Sequence, residues 1–180
     1  MIFQKEFYFV RHGQTDQNVE EKKKKNNFPE DIPLNDTGRN QAASIKPIIS
    51  SLGLHTVCSS PLSRAKETKQ IITTNLPVTH HEIHDLSECS SDIWNEMSQL
   101  GMCSSLPKEG VVWQFMNRVR NGINQALSLD GTILVVAHGG VHWAICYLLG
   151  IEDHSWAIDN CVPVHFIIGN DGKWVAKKLI

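Results

Sequence analysis

The sequence predicts an α/β fold, with three layers in which a mixed, mainly parallel sheet is covered by helices on both faces. Three observations carry that expectation. Short apolar strand signals alternate with longer segments whose apolar residues recur at helical spacing. One strand, Thr132-Ile133-Leu134-Val135-Val136-Ala137, is almost wholly apolar, as in the middle of a sheet buried on both faces. Two further strand signals flank Gly169-Asn170-Asp171-Gly172, which reads as a terminal hairpin.

The elements follow in order. Phe7-Tyr8-Phe9-Val10 is a short aromatic and β-branched run that stops at Arg11-His12-Gly13, so it reads as a buried strand ending in a cation and an imidazole. Glu20-Glu21-Lys22-Lys23-Lys24-Lys25-Asn26-Asn27 reads as a solvated loop. Pro33-Leu34-Asn35-Asp36 opens a helix, with Asn35 as N-cap and Asp36 at its positive end. Ala42, Ile45, Ile49 and Leu52 give that helix an apolar stripe, and Gly53 marks its end. Thr56-Val57-Cys58 is a short strand, followed by a helix with Pro61 in its first turn and Ser60 as cap. Val78-Thr79-His80 is a further strand. Residues 85–110 read as an irregular lid with a short helix around Trp94–Met97. Val112, Phe115, Met116, Val119, Ile123, Ala126 and Leu127 predict a core-packed helix over 109–129. After the apolar strand, His138-Gly139-Gly140 opens an apolar helix that runs to Leu149 and stops at Gly150. Nothing splits the chain, so residues 1–180 are expected to form one domain.

Composition narrows the class. The chain has 180 residues, 41% hydrophobic and 20% charged, which suits a soluble globular protein. A formal net charge of -2 gives no reason to expect nucleic acid or an anionic membrane as partner. Cys58, Cys89, Cys103, Cys146 and Cys161 are odd in number and lack any Cys-x-x-Cys pair, which argues against a disulfide framework or a cysteine zinc site. With no basic-then-apolar leader and no apolar run near the roughly 20 residues of a membrane span, the expected location is cytoplasmic. His80, His81 and His84 cluster, but neither carboxylate nor cysteine completes a convincing ligand set, so no metal is expected.

The chemistry sits at strand ends. Val10-Arg11-His12-Gly13 and Ala137-His138-Gly139-Gly140 each present a histidine before glycine, and Ser59-Ser60-Pro61-Leu62-Ser63-Arg64 presents an arginine in a first helical turn. In a parallel sheet these ends share one rim, where open α/β folds bind ligands. Two guanidinium groups, two imidazoles and helix N-termini suit a dianionic phosphoryl group. A neutral imidazole nitrogen can attack phosphorus and form a covalent intermediate. The Lys22–Lys25 run reads as a solvated face that could also draw an anion to the rim.

These residues resemble the histidine phosphatase superfamily, which includes the cofactor-dependent phosphoglycerate mutases, over nearly the whole chain. Arg11-His12-Gly13-Gln14-Thr15 with Asn18 resembles the family's opening Arg-His-Gly-Glu-Thr-x-x-Asn. Pro33-Leu34-Asn35-Asp36-Thr37-Gly38-Arg39-Asn40-Gln41-Ala42 resembles its Pro-Leu-Thr-x-x-Gly-x-x-Gln-Ala helix, and Ser59 to Thr68 its second basic motif. Glu109, Phe115, Arg118 and Val119 match the helix after the lid, and Val135 to Val141 the closing motif. The resemblance implies a phosphoglycerate mutase-like sheet and no cofactor. It implies His12 as the nucleophile, with Arg11, Arg64 and His138 on the phosphoryl oxygens and Asn18 assisting. Thr15 and Gly139 fall inside the same phosphate motifs. Leu86-Ser87-Glu88, with Trp94 six residues on, implies Glu88 as the general acid. Asp92 stands where the family has glycine and Asn95-Glu96 where it has Glu-Gly, so Asp85 and Asp92 are the alternative acids.

The resulting expectation is a histidine acid phosphatase-type hydrolase, metal-independent, acting on a small phosphorylated metabolite or a phosphoprotein. The resemblance implies phosphatase over mutase, because the family's mutases carry a longer insertion between the acid and the second His-Gly motif that shields the intermediate from water, and the stretch from Glu88 to His138 leaves little room for one. The alternatives are a phosphoglycerate mutase-type phosphotransferase and a non-catalytic phosphate- or phosphopeptide-binding module. The terminal hairpin offers an edge strand to a partner, but the sequence assigns no oligomeric state.

Overall fold

A computed structural model describes residues 1–21, 31–100, 108–151 and 158–179. The lysine run, Cys103 and the lid between 101 and 107 lie outside the described residues. The strands are β1 (Phe7–Arg11), β2 (Thr56–Ser59), β3 (Thr79–Glu82), β4 (Ile133–Ala137), β5 (Pro163–Ile168) and β6 (Trp174–Lys178). They form one sheet in the order β3-β2-β4-β1-β5-β6. β3, β2, β4 and β1 pair in parallel. β5 runs antiparallel to β1 and pairs with β6 as the expected hairpin.

The helices are α1 (Asp16–Glu21), α2 (Asp36–Ser50), α3 (Ser63–Ile72), α4 (Ser91–Leu100), α5 (Gly110–Leu127) and α6 (Gly139–Leu148). Alternation along the central strands divides them between two faces. Ile133, Val135 and Ala137 of β4, with Phe7 and Phe9 of β1, pack into a core with α5 and α6. Leu134 and Val136, with Val10, face the other way and pack with Ala42, Ile45 and Ile49 of α2 and with Ala65 and Ile72 of α3. β4 reads as an unbroken apolar run because all five of its residues are buried, two on one face and three on the other.

Three local expectations change. α1 stands where only the start of a loop was expected, since Glu20 and Glu21 close a helix that begins at Asp16. α3 begins at Ser63, past Pro61, with Leu62 extended at its cap position. Ser60 is not the cap. The carboxylate of Asp31 fills that role, accepting the Ser63 backbone N–H at 2.7 Å and its hydroxyl at 2.8 Å. The lid is more regular than expected. A short 3-10 turn at His84–Leu86 leads into α4, ten residues long, which buries Met97.

Candidate active site

The parallel register sets the site. The His12 N–H donates to the Ala137 carbonyl at 3.0 Å and the Ser60 N–H to the Val136 carbonyl at 3.1 Å, so the ends of β1, β4 and β2 lie side by side. His12, from the end of β1, is 2% exposed. His138, between β4 and α6, is fully buried. Their rings meet with centroids 5.1 Å apart, inclined at 60°. Arg64, in the first turn of α3, is buried beside them. Arg11, the last residue of β1, donates from Nη1 to the Ile158 carbonyl at 2.8 Å.

Nδ1 of His12 lies 2.7 Å from the carbonyl oxygen of Gly13. A carbonyl only accepts, so Nδ1 carries the hydrogen and Nε2 of the neutral ring keeps its lone pair. Burial first, then the positive fields of Arg11 and Arg64, hold the His12 pKa well below the ordinary 6.5, although the bond to Gly13 opposes them. His138 is pushed the same way by burial, by His12, and by Arg64 and Arg11. Neither ring nitrogen of His138 has a hydrogen-bond partner among the described residues.

The loop after His12 is lashed to two helices. The Gly13 N–H donates to the hydroxyl of Thr68 at 3.0 Å, which itself donates to the Arg64 carbonyl at 2.7 Å. The Gln14 N–H donates to Oε1 of Gln41 at 2.9 Å. Asn35 caps α2 through the Gly38 N–H at 2.9 Å, and its Nδ2 donates to Oε1 of Gln14 at 3.2 Å. A Cβ on Gly13 would stand 2.5 Å from the Gly38 carbonyl oxygen, so the two glycines permit this close approach.

Thr15 and Asn18 form a reciprocal cap on α1. The Asn18 N–H donates to the Thr15 hydroxyl at 3.3 Å, and the Thr15 N–H donates to Oδ1 of Asn18 at 3.1 Å. The Thr-x-x-Asn spacing was the signal that could have located α1. Glu88 precedes α4 and reaches across to α6. Its Oε1 accepts the Cys89 N–H at 3.0 Å and its Oε2 accepts the Gly140 N–H at 3.2 Å. The expected exposed helix N-termini are thus partly occupied, α3 by Asp31 and α6 by Glu88. Arg118 of α5 holds this segment from beneath, donating to the carbonyls of Asp85 and Glu88, each at 3.2 Å, and lying over the Phe115 ring.

Sequence reasoning assigned no contact to Gln41, Thr68, Arg118, Asp31 or Asn160. Of the other singled-out groups, His80 and His81 lie on the exposed strand β3 and His84 in the 3-10 turn. No group of three or more histidine, cysteine or acidic residues is placed to hold a metal ion among the described residues. No described helix is long and apolar enough to cross a membrane.

The sequence model of the histidine phosphatase superfamily (branch 1) matches residues 7–179. This chain belongs to that superfamily. An uncharacterized phosphatase of Bacillus subtilis (strain 168), PhoE, is 30% identical over 144 residues, covering 76% of this chain and 72% of that protein. Among solved structures, phosphoserine phosphatase from Entamoeba histolytica in complex with 3-phosphoglyceric acid superposes with a TM-score of 0.69 at 21% identity, over 96% of this chain and 94% of that one. The alpha-ribazole phosphatase from Shigella flexneri gives 0.68 at 21%, over 97% and 96%. These structural likenesses establish the shared three-layer fold.

Proposed function

We propose that this chain is a metal-independent phosphomonoesterase that works through a phosphohistidine on His12. The observation that carries the reading is the buried His12 ring, which feels the positive fields of Arg11 and Arg64, with Nδ1 committed to the Gly13 carbonyl and Nε2 left as a lone-pair donor. The phosphatase names of the relatives support hydrolysis over transfer.

In this reading Arg11 and Arg64 meet the charge of the phosphoryl oxygens, and His138, with Gly139 at the start of α6, contacts the same group. Phosphoryl transfer needs mostly this charge neutralisation and alignment. Asn18 contributes an amide donor, and Thr15 contributes by holding Asn18. Nε2 of His12 attacks phosphorus as the bond to the leaving oxygen breaks. Glu88 gives its proton to that oxygen, then as carboxylate takes a proton from water. The resulting hydroxide attacks phosphorus and breaks the N–P bond, which releases phosphate and restores both groups. The substrate class is a small phosphomonoester or a phosphorylated protein side chain.

The test is phosphate release from a panel of phosphomonoesters in EDTA, comparing wild type with His12→Ala. Turnover that resists EDTA and vanishes in the variant supports the reading. Turnover that survives His12→Ala, or that EDTA abolishes, overturns it.

A further inference from the structure

Asn160 precedes β5 and lies outside the motifs quoted above for the family resemblance. Its Nδ2 donates to the carbonyl oxygen of His12 at 2.8 Å and to Oδ1 of Asn18 at 3.4 Å. The same Oδ1 accepts the Thr15 N–H at 3.1 Å. A primary amide has two ends of nearly the same shape, one an acceptor and one a double donor. Toward a phosphoryl oxygen the difference decides the sign of the interaction, because the oxygen end repels and the NH2 end binds. With two donors converging on Oδ1, the Asn18 amide is held in one sense, and Nδ2 is the end it has for an anion.

The backbone beside Asn160 is shaped for this contact. Cys161 has φ of 54°, in the left-handed region that a residue other than glycine adopts only when its surroundings hold it there. Its N–H donates to the Arg11 carbonyl at 3.0 Å. The turn thereby clamps two successive carbonyls at the end of β1, Arg11 through Cys161 and His12 through Asn160. It also delivers the Asn160 amide to the gap between that strand end and α1.

We propose that Asn160 is a positioning residue for phosphate recognition: it sets the amide sense of Asn18, so that Asn18 meets the phosphoryl group with its donor end. Asn160 itself touches no substrate. The inference rests on the assignment of Asn18 to the phosphoryl group, made above.

A double-mutant cycle separates this role from a structural one. The readout is the dissociation constant of inorganic phosphate by calorimetry, which needs no turnover, together with KM and kcat on one hydrolysed ester. Asn160→Ala is expected to weaken phosphate binding and raise KM by about tenfold, as for a hydrogen bond to a charged group, with a smaller change in kcat. In an Asn18→Ala background, the same substitution is expected to change phosphate binding less than about twofold. Asn160→Ser replaces the alanine variant if the latter fails to fold. A full penalty from Asn160→Ala in the Asn18→Ala background overturns the proposal, because Asn160 then acts on the His12 backbone alone. Unchanged phosphate binding in Asn18→Ala also overturns it, by removing Asn18 from the phosphoryl group. That result is distinct from failure of the phosphohistidine reading, which His12→Ala judges separately.

Discussion

The backbone N–H of Gly140 donates to Oε2 of Glu88, tying the segment before α4 to the first turn of α6. A side chain at this glycine would have to push two side-chain ends aside. A Cβ would stand 2.4 Å from Oε1 of Glu88 and 2.8 Å from Sγ of Cys89. At Gly139 a Cβ would meet Arg11 atoms no closer than 3.6 Å, an ordinary contact. The two adjacent glycines of the closing motif therefore do different things.

Alanine at these two positions should separate those roles. Gly140→Ala displaces the Glu88 carboxylate and is expected to lower kcat by about a hundredfold, in the range that general acid catalysis contributes. Gly139→Ala is expected to lower it by less than about tenfold. In a Glu88→Gln background Gly140→Ala should add little, since the group it displaces is already disabled. Steady-state kinetics on a single phosphomonoester checks all three.

Arg118 should prove essential to the same segment without touching substrate. Its planar fork reaches the Asp85 and Glu88 carbonyls together, a geometry that a lysine ammonium does not reproduce. Arg118→Lys and Arg118→Ala are both expected to reduce kcat by about tenfold or more and to destabilise the fold by about 1–3 kcal/mol through unsatisfied carbonyls. Equal kcat in wild type and Arg118→Lys would show that the clasp is not needed.

The buried imidazoles fix a pH dependence of stability. Both His12 and His138 have native pKa values well below 6.5, while the unfolded chain titrates at the ordinary value. In the window below 6.5 and above the native values, the unfolded state binds more protons, so stability rises with pH. The melting temperature should therefore climb from about pH 5 to about pH 7 and level off above it. A His12→Asn, His138→Asn double variant should show a shallower climb. Imidazole resonances of His12 should show no protonation midpoint near 6.5, and a midpoint there would contradict the burial argument.

The contact between Gly13 and Gly38 should tolerate no methyl group. A Cβ on Gly38 would stand 2.1 Å from the Gln14 carbonyl oxygen, and one on Gly13 would strike the Gly38 carbonyl. All of these atoms are backbone, so neither side can swing away. Each alanine variant is expected to lose about 1–3 kcal/mol of stability by chemical denaturation. The double variant should lose less than the sum, because one displacement relieves both collisions.

Legible in the residue order were the sheet-and-helix class, the histidines that follow β1 and β4, and the residues that the structure gathers at one rim. These are local signals: an apolar run, a glycine just past it, a helical stripe. They are readable because strand and helix periodicity is written in consecutive residues. α1 escaped because its six residues hold a single apolar one, Val19, and so carry no apolar period, and its start lies in the reciprocal cap of Thr15 and Asn18. The α3 start was misplaced because its cap, Asp31, lies 32 residues upstream. Which amide faces which way is set by contacts between distant segments. Asn160 reaches His12 across 148 positions, Gly140 reaches Glu88 across 52, and Arg118 reaches Glu88 across 30. Pairings of that kind follow from how the sheet brings distant strand ends together, and a single chain's residue order does not encode them locally. The protonated nitrogen of His12 belongs with them, since it is set by the geometry of one carbonyl.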